Sequence, residues 1–351
     1  MNFDFNRILF VNSYACNMNC PYCMHYEHKK NAKIKPNMQF GLDNSKAFFD
    51  FFLDNSPYDT IQITFSGGEP LFFFDPYMKP LILYMREQGK IKNKHIVIDM
   101  FTNGTLLNEE RILFFKEYNV KIGVSYDGHC GQQYRDAKTL EKVESKIKLC
   151  NTLAPEILSV ASTFYSDTIG LIYDSYQTML EMGIKHWSFA IDTLTNGYRY
   201  PLEKIEVLGD QIYKIWTDSQ DKDIDIMTFN KINGFKAYAD SNKCLIARPD
   251  GEICIGTTVP VLIPENLFPL FSIGYWQVDE EKLARYQEIM GDFHVHVMGK
   301  NNPSFCERCK VKACCQDVEI TAAEAYVRSS ADAMHCLENL IISQVMDGEW
   351  E

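Results

Sequence analysis

Apolar, β-rich runs alternate with longer amphipathic stretches from Arg7 to about residue 220, and this alternation constrains the fold more than any other feature of the chain. It predicts strands from Arg7 to Asn12, Thr60 to Phe65, His95 to Phe101, Val120 to Tyr126, Ile157 to Phe164 and Lys185 to Ile191. Between them it predicts helices from Asp43 to Asn55, Tyr77 to Gln88, Asn108 to Tyr118, Leu140 to Asn151, Ile169 to Met182 and Glu203 to Asp218. Strands joined by helical crossovers run parallel, so the pattern implies an α/β fold whose functional groups gather at strand C-terminal ends. Periodicity alone leaves a doubly wound sheet and a partial barrel both open.

After about residue 225 the alternation stops and Cys, Gly, Pro and turn residues become frequent, which divides the chain into residues 1–225 and a cysteine-rich domain over 226–351. With 351 residues, 46% of them hydrophobic, the chain can bury one large core and a smaller appendage. No apolar run is long enough to cross a bilayer, and "MNFDFNRILF" lacks the basic flank and cleavage site of a signal peptide. A cytoplasmic location follows as the expectation, in which twelve cysteines read as metal ligands before disulfides. A formal charge of -12 argues against nucleic acid as a partner.

Cys16, Cys20 and Cys23 stand in C-x-x-x-C-x-x-C order directly after the first apolar run. Three thiolates on such a loop can hold an iron-sulfur cube and leave its fourth iron without a protein ligand. Zinc sites normally close C-x-x-C pairs to four ligands, and this loop supplies three. The spacing, with aromatic Tyr22 before the third cysteine, resembles the signature of the radical S-adenosylmethionine (radical SAM) superfamily. The resemblance implies an open (β/α)6 partial TIM barrel that binds S-adenosylmethionine at a 4Fe-4S cluster. In the family the cluster's electron breaks the sulfonium bond, and the 5'-deoxyadenosyl radical abstracts hydrogen from the substrate.

The resemblance extends along the barrel. Gly67, Gly68, Glu69 and Pro70 in "FSGGEPL" look like the family's GGEP motif, whose backbone meets the methionyl ammonium. Thr102 and Asn103 in "FTNGTLL" and Ser125 in "VSYDGHC" match segments that line the cofactor pocket, while Asp127 is read as stabilising the turn before Gly128. Arg135 sits where relatives place an arginine on the methionyl carboxylate, and Ser162, with Thr163, is expected to face the cofactor. Asp192, at the end of the sixth predicted strand, is the candidate catalytic base.

In the tail, "CERCKVKACC" followed by Cys336 resembles part of the SPASM domain, which carries auxiliary 4Fe-4S clusters, and "CLIARPDGEIC" resembles its opening hairpin. The implied ligands are Cys306, Cys309, Cys336 and one of Cys314 or Cys315 for one cluster; Cys244, Cys254 and the remaining member of that pair serve the other. Two departures stand out: only two residues separate Gly251 from Cys254, and Glu319 occupies a position usually held by cysteine. Cys130 and Cys150 fit no cluster and are expected to be buried apolar thiols. His294 and His296 are read as solvent-facing, and "LFFFDPY" as core packing and a helix start.

The function implied is that of a radical SAM oxidoreductase modifying a residue of a peptide or protein, with maturation of ribosomal peptide natural products, including crosslinking, as the first reading. An external low-potential electron donor of flavodoxin or ferredoxin type would reduce it. Only about six residues precede the first strand, so a leader peptide would be recognised by the barrel, the tail or a separate leader-binding protein. The alternatives are a formylglycine-generating anaerobic sulfatase maturase, a twitch-type small-molecule dehydrogenase, and a non-catalytic iron-sulfur or zinc protein. Sulfatase maturases place an aspartate after the hairpin cysteine, where this chain has Ile255.

Overall fold

The computed structural model describes residues 3–23, 40–191, 202–229, 244–255, 272–293, 341–342 and 344–348. These fall into two compact units. The first comprises residues 3–19, 23, 40–122, 244–255 and 272–293; the second comprises 20–22, 123–191, 202–229, 341–342 and 344–348.

In the first unit, β1 (Arg7–Val11), β2 (Thr60–Ser66) and β3 (His95–Thr102) alternate with α1 (Leu42–Asn55), α2 (Lys79–Ile91) and α3 (Glu109–Glu117). β1 pairs parallel with β2 and β2 with β3, in a register that aligns Phe10, Phe65 and Met100. Period-two alternation puts Ile8, Phe10, Ile61, Ile63, Phe65, Ile96, Ile98 and Met100 on one fully covered face. There the Phe10 ring stacks on Phe65 at 5.9 Å and meets Phe48 of α1 edge-on at 6.1 Å. The opposite face carries polar groups at the same levels, where the Gln62 amide donates to the Asp99 carboxylate at 2.8 Å. Asn108 starts α3 by accepting the Arg111 amide at 2.9 Å, and Glu109 and Glu110 suit the positive end of the helix dipole.

The same sheet continues beyond β1. β8 (Cys244–Ala247) pairs parallel with β1, followed in antiparallel order by β9 (Glu252–Ile255), β10 (Ser272–Tyr275) and β11 (Gln277–Val278), and α8 (Glu280–Phe293) comes after. The strand order of this unit reads β11-β10-β9-β8-β1-β2-β3, then the first half of β4 (Val120–Ser125).

In the second unit the order runs from the second half of β4 through β5 (Leu158–Phe164) and β6 (His186–Ile191) to β7 (Asp225–Ile226). β5–β6 and β6–β7 are parallel. Helices α4 (Gly128–Asp136), α5 (Leu140–Leu153), α6 (Ile172–Glu181) and α7 (Leu202–Ser219) connect them. Trp187, Tyr176, Phe164 and Val160 are wholly buried at the centre.

All six predicted strands and six predicted helices are present, with ends shifted by up to three residues. Within the first unit β1–β2–β3 run parallel, and within the second β5–β6–β7 do. Three features went unread. Helix α4 is rich in Gly and Gln and has no apolar stripe; β7 is two residues long; and β8 follows a compositional break yet adds to the edge of β1. A boundary at residue 225 therefore does not coincide with the packing: the break marks the end of helical crossovers, not the end of the sheet.

Candidate active site and metal centre

The cysteine loop, residues 12–23, leaves the C-terminal end of β1, and the turn after β2 is built against it. The Gly68 amide donates to the Ser13 carbonyl at 2.9 Å and the Glu69 amide to the Ala15 carbonyl at 2.7 Å. Gly67 adopts φ 124°, a conformation that side chains disfavour. A Cβ on Gly68 would lie 2.2 Å from the Ala15 oxygen, and one on Gly67 would lie 2.5 Å from the Ser13 oxygen. Sequence reading assigned this glycine pair to close approach by a ligand. In the structure the close approach is to the backbone of the cysteine loop itself.

Glu69 then ties this turn to the one after β3. It is 1% exposed; Oε1 accepts the Leu71 amide at 3.1 Å and the Thr102 hydroxyl at 2.7 Å, and Oε2 accepts the Asn103 amide at 2.8 Å. Burial pushes the Glu69 carboxyl above the usual range, against the pull of these donors and of Arg111. Pro70, also buried, opens a short helical turn (Pro70–Phe73) for which Glu69 is the cap. Glu69→Gln presents N–H where a backbone donor needs an acceptor. It should cost about 1–3 kcal/mol, read as a lower urea midpoint.

Asn103, held by Glu69 through its backbone, spends its side chain on the loop. Nδ2 donates to Asn17 Oδ1 at 2.8 Å and approaches the Cys16 sulfur at 3.7 Å, while Oδ1 accepts the Thr105 amide and hydroxyl at 3.0 and 2.6 Å. Asn17 donates back to the Thr105 hydroxyl at 2.8 Å. The Met18 amide points at the same sulfur from 3.4 Å. Two N–H groups on one sulfur stabilise its thiolate form and lower the cost of negative charge there.

The second unit holds the middle of the loop, Cys20 to Tyr22. The Tyr22 hydroxyl donates to Asp127 Oδ2, and Arg135 grips the same carboxylate through Nε and NH2, each at 2.8 Å. The Thr163 amide completes the set at 2.8 Å. Arg135 therefore has a protein carboxylate in its fork, where a cofactor carboxylate was expected. Asp127 joins loop, helix and strand and makes no side-chain cap to the turn before Gly128. Ser162 departs from expectation too. It is 2% exposed, donating to the Tyr126 carbonyl at 2.7 Å and accepting from the Trp187 indole at 2.8 Å, because it lies on the covered face of β5. Its neighbour Thr163 and the half-buried Ser125, at the end of β4, stay on the opposite side of the alternation.

Cys16, Cys20 and Cys23 are all half-buried and in no disulfide. Among the described residues no three His, Cys, Asp or Glu side chains converge on a single-ion site. Cys244 and Cys254 are buried on the β8–β9 hairpin, which the sequence predicted, with Ile246 paired to Cys254. Cys254 packs with Val11, Tyr14 and Ile246, and burial pushes both its thiol and the Tyr14 hydroxyl up, the latter to about 12. Arg248 lies beside both, in ion-pair contact with Asp250 at 2.9 Å. Cys150 is buried as expected, its thiol pushed up to about 12, whereas Cys130 is exposed. In "LFFFDPY", Phe74 and Tyr77 are core residues and Phe72 is exposed. Asp192, His294, His296, Cys306, Cys309, Cys314, Cys315 and Cys336 lie outside the described residues.

The profile of the radical SAM superfamily matches residues 13–151. A cysteine-type anaerobic sulfatase-maturating enzyme of Clostridium novyi is 29% identical over 178 residues, 46% of this chain and 45% of that protein. A serine-type counterpart from Bacteroides thetaiotaomicron is 32% identical over 35% of this chain and 28% of its own length. The chain thus spans less than half of the curated relatives it matches. Among solved structures, anSMEcpe with bound AdoMet superposes with a TM-score of 0.72 at 16% identity, covering 98% of both chains. Streptococcus suis SuiB bound to S-adenosylmethionine gives 0.60 at 14% identity over 89% of this chain and 72% of its own. These likenesses establish the open partial-barrel fold. The match over residues 13–151, which spans the cysteine loop and the GGEP turn, identifies that segment as a radical SAM domain.

Proposed function

We propose that the chain modifies a residue within a peptide or protein, and that Cys16, Cys20 and Cys23 hold the 4Fe-4S cluster at which S-adenosylmethionine is cleaved. When bound, that cluster supplies the electron for cleavage and thereby the radical that abstracts hydrogen. The observation that carries the reading is the joint between the Gly67–Gly68 turn and the cysteine loop, with Asn103 directed at the Cys16 sulfur. Such a joint fixes a thiolate loop at the mouth of a parallel sheet, where substrate groups can be oriented by the ends of several strands.

The chain's own residues divide the work. Glu69 holds the two turns in register, Asn103 and the Met18 amide lower the cost of charge on Cys16, and Tyr22 anchors the middle of the loop on Asp127. Ser125, Thr102 and backbone groups of the GGEP turn are the proposed cofactor contacts, and Asp192 the proposed base. Auxiliary clusters on Cys244, Cys254, Cys306, Cys309, Cys314, Cys315 and Cys336 would take the electron left by substrate oxidation or anchor the peptide, and a low-potential carrier protein would reduce the enzyme.

Support for a peptide substrate comes from the names of the relatives: sulfatase-maturating enzymes act on proteins, and SuiB has been solved with a precursor peptide, SuiA, at a TM-score of 0.51. Formylglycine generation is the second reading, favoured by those curated relatives. Ile255 follows Cys254 and is buried, paired with Leu245 inside the hairpin, so the carboxylate of that reading is missing here. Peptide maturation with another outcome stays first. Among the described residues, no helix is long and apolar enough to cross a membrane.

The test is anaerobic reconstitution with iron and sulfide, reduction with dithionite, and chromatography for 5'-deoxyadenosine. Its formation is the expected result, and zinc in place of iron with no cleavage would sink the reading. Cys309→Ala should lose modified peptide yet retain part of the 5'-deoxyadenosine yield, since its sulfur lies in the auxiliary set. Loss of both activities together would remove the division of labour between loop and tail.

A further inference from the structure

The Tyr22–Asp127–Arg135 group is built more tightly than a loop anchor requires. Asp127 is 2% exposed and accepts four hydrogen bonds, from the Tyr22 hydroxyl, two nitrogens of Arg135 and the Thr163 amide. The Arg135 side chain is 10% exposed, and its guanidinium carbon lies 5.4 Å from the Tyr22 ring centroid, which in turn packs on Tyr165 at 5.2 Å. Cys20 is within electrostatic reach of both Arg135 and Tyr22. A full positive and a full negative charge thus sit side by side, shielded from water, next to one of the three loop cysteines.

Shielded charges act on their neighbours more strongly than surface charges do. A cube held by thiolates is anionic and gains a further negative charge on reduction, so its potential responds to the sign of what lies near it. We propose that Arg135 and Asp127 are an opposed pair of positioning residues that tune the cluster on the Cys20 loop: Arg135 raises its reduction potential, Asp127 lowers it, and the pairing keeps the net effect small. The Tyr22 ring, in contact with Arg135 and Tyr165, sets the distance between pair and loop. The inference rests on the reading that this loop carries the cluster.

The experiment is an EPR-monitored redox titration of the full reconstituted chain. The cluster is identified as the signal that changes when S-adenosylmethionine is added. Asp127→Asn leaves the arginine charge unopposed and should shift the midpoint upward. Adding Arg135→Gln to that variant removes the second charge and should bring the midpoint back toward the parent, while Tyr22→Phe, which changes no charge, leaves it in place. A purely mechanical clamp predicts otherwise, because a second lesion compounds the first. An unmoved or lower midpoint in Asp127→Asn, or a double variant no closer to the parent than the single one, would overturn the proposal. Should Asp127→Asn fail to hold iron, Arg135→Gln alone decides: a midpoint below the parent's supports it, and an equal or higher one refutes it. A parent chain with no cluster would instead refute the functional reading itself.

Discussion

Cys20→Ala should reduce 5'-deoxyadenosine formation to the level of protein-free controls while the chain stays folded. The two outcomes separate because of where the residue sits. Its thiol is half-buried, and the segment Cys20 to Tyr22 is anchored through the Tyr22 ring and hydroxyl, which the substitution leaves intact. Removing the thiol leaves that anchor in place. It leaves two thiolates on the loop, which cannot hold a cube that already lacks a fourth protein ligand. Thermal unfolding followed by circular dichroism should therefore match the iron-free parent, while iron content and the EPR signal that responds to S-adenosylmethionine are lost. Retention of that signal with full cleavage would mean the cluster is held elsewhere.

Gly68→Ala should be the most damaging single methyl group in the cysteine loop's surroundings. The added carbon would stand 2.2 Å from the Ala15 oxygen and 2.6 Å from the Ala15 and Tyr14 carbonyl carbons. All three are backbone atoms, so no side-chain rotation relieves the overlap. The loop or the turn must move, and either movement breaks the bonds from the Gly68 and Glu69 amides to Ser13 and Ala15. A loss of about 3 kcal/mol is expected from the overpacking alone, with iron incorporation falling alongside it. Urea denaturation of the apo chain and iron per chain after reconstitution measure the two parts. A variant with parental stability and full iron would show that the loop tolerates displacement.

Much of this was legible in the chain itself. The alternation that placed the first six strands rests on backbone periodicity and survives any tertiary context; each strand appears within a residue or so of its expected span. The hairpin around Gly251 was likewise legible, since Gly251 takes φ 95° at the turn between β8 and β9. The cysteine spacing and the GGEP turn pointed to the same region from local sequence. The destinations of their polar groups could not be read. Ser162 and Thr163 are adjacent and similar, yet one is buried under Trp187 while the other offers its amide to Asp127. Arg135 looked like a ligand for a cofactor carboxylate because spacing cannot show that Asp127, eight residues earlier, is folded back into its fork.

The sequence by itself determined the order of elements, the parallel sheet and the place of the thiolate loop after β1, because these follow from short-range periodicity and from which residues stand next to one another. Only the tertiary structure decided that the glycine pair meets the cysteine loop's own backbone, that Asn103 reaches Cys16, and that Asp127 and Arg135 neutralise each other beside Tyr22. Those contacts join residues between 8 and 105 positions apart. They are set by how strand ends pack, which no local pattern encodes.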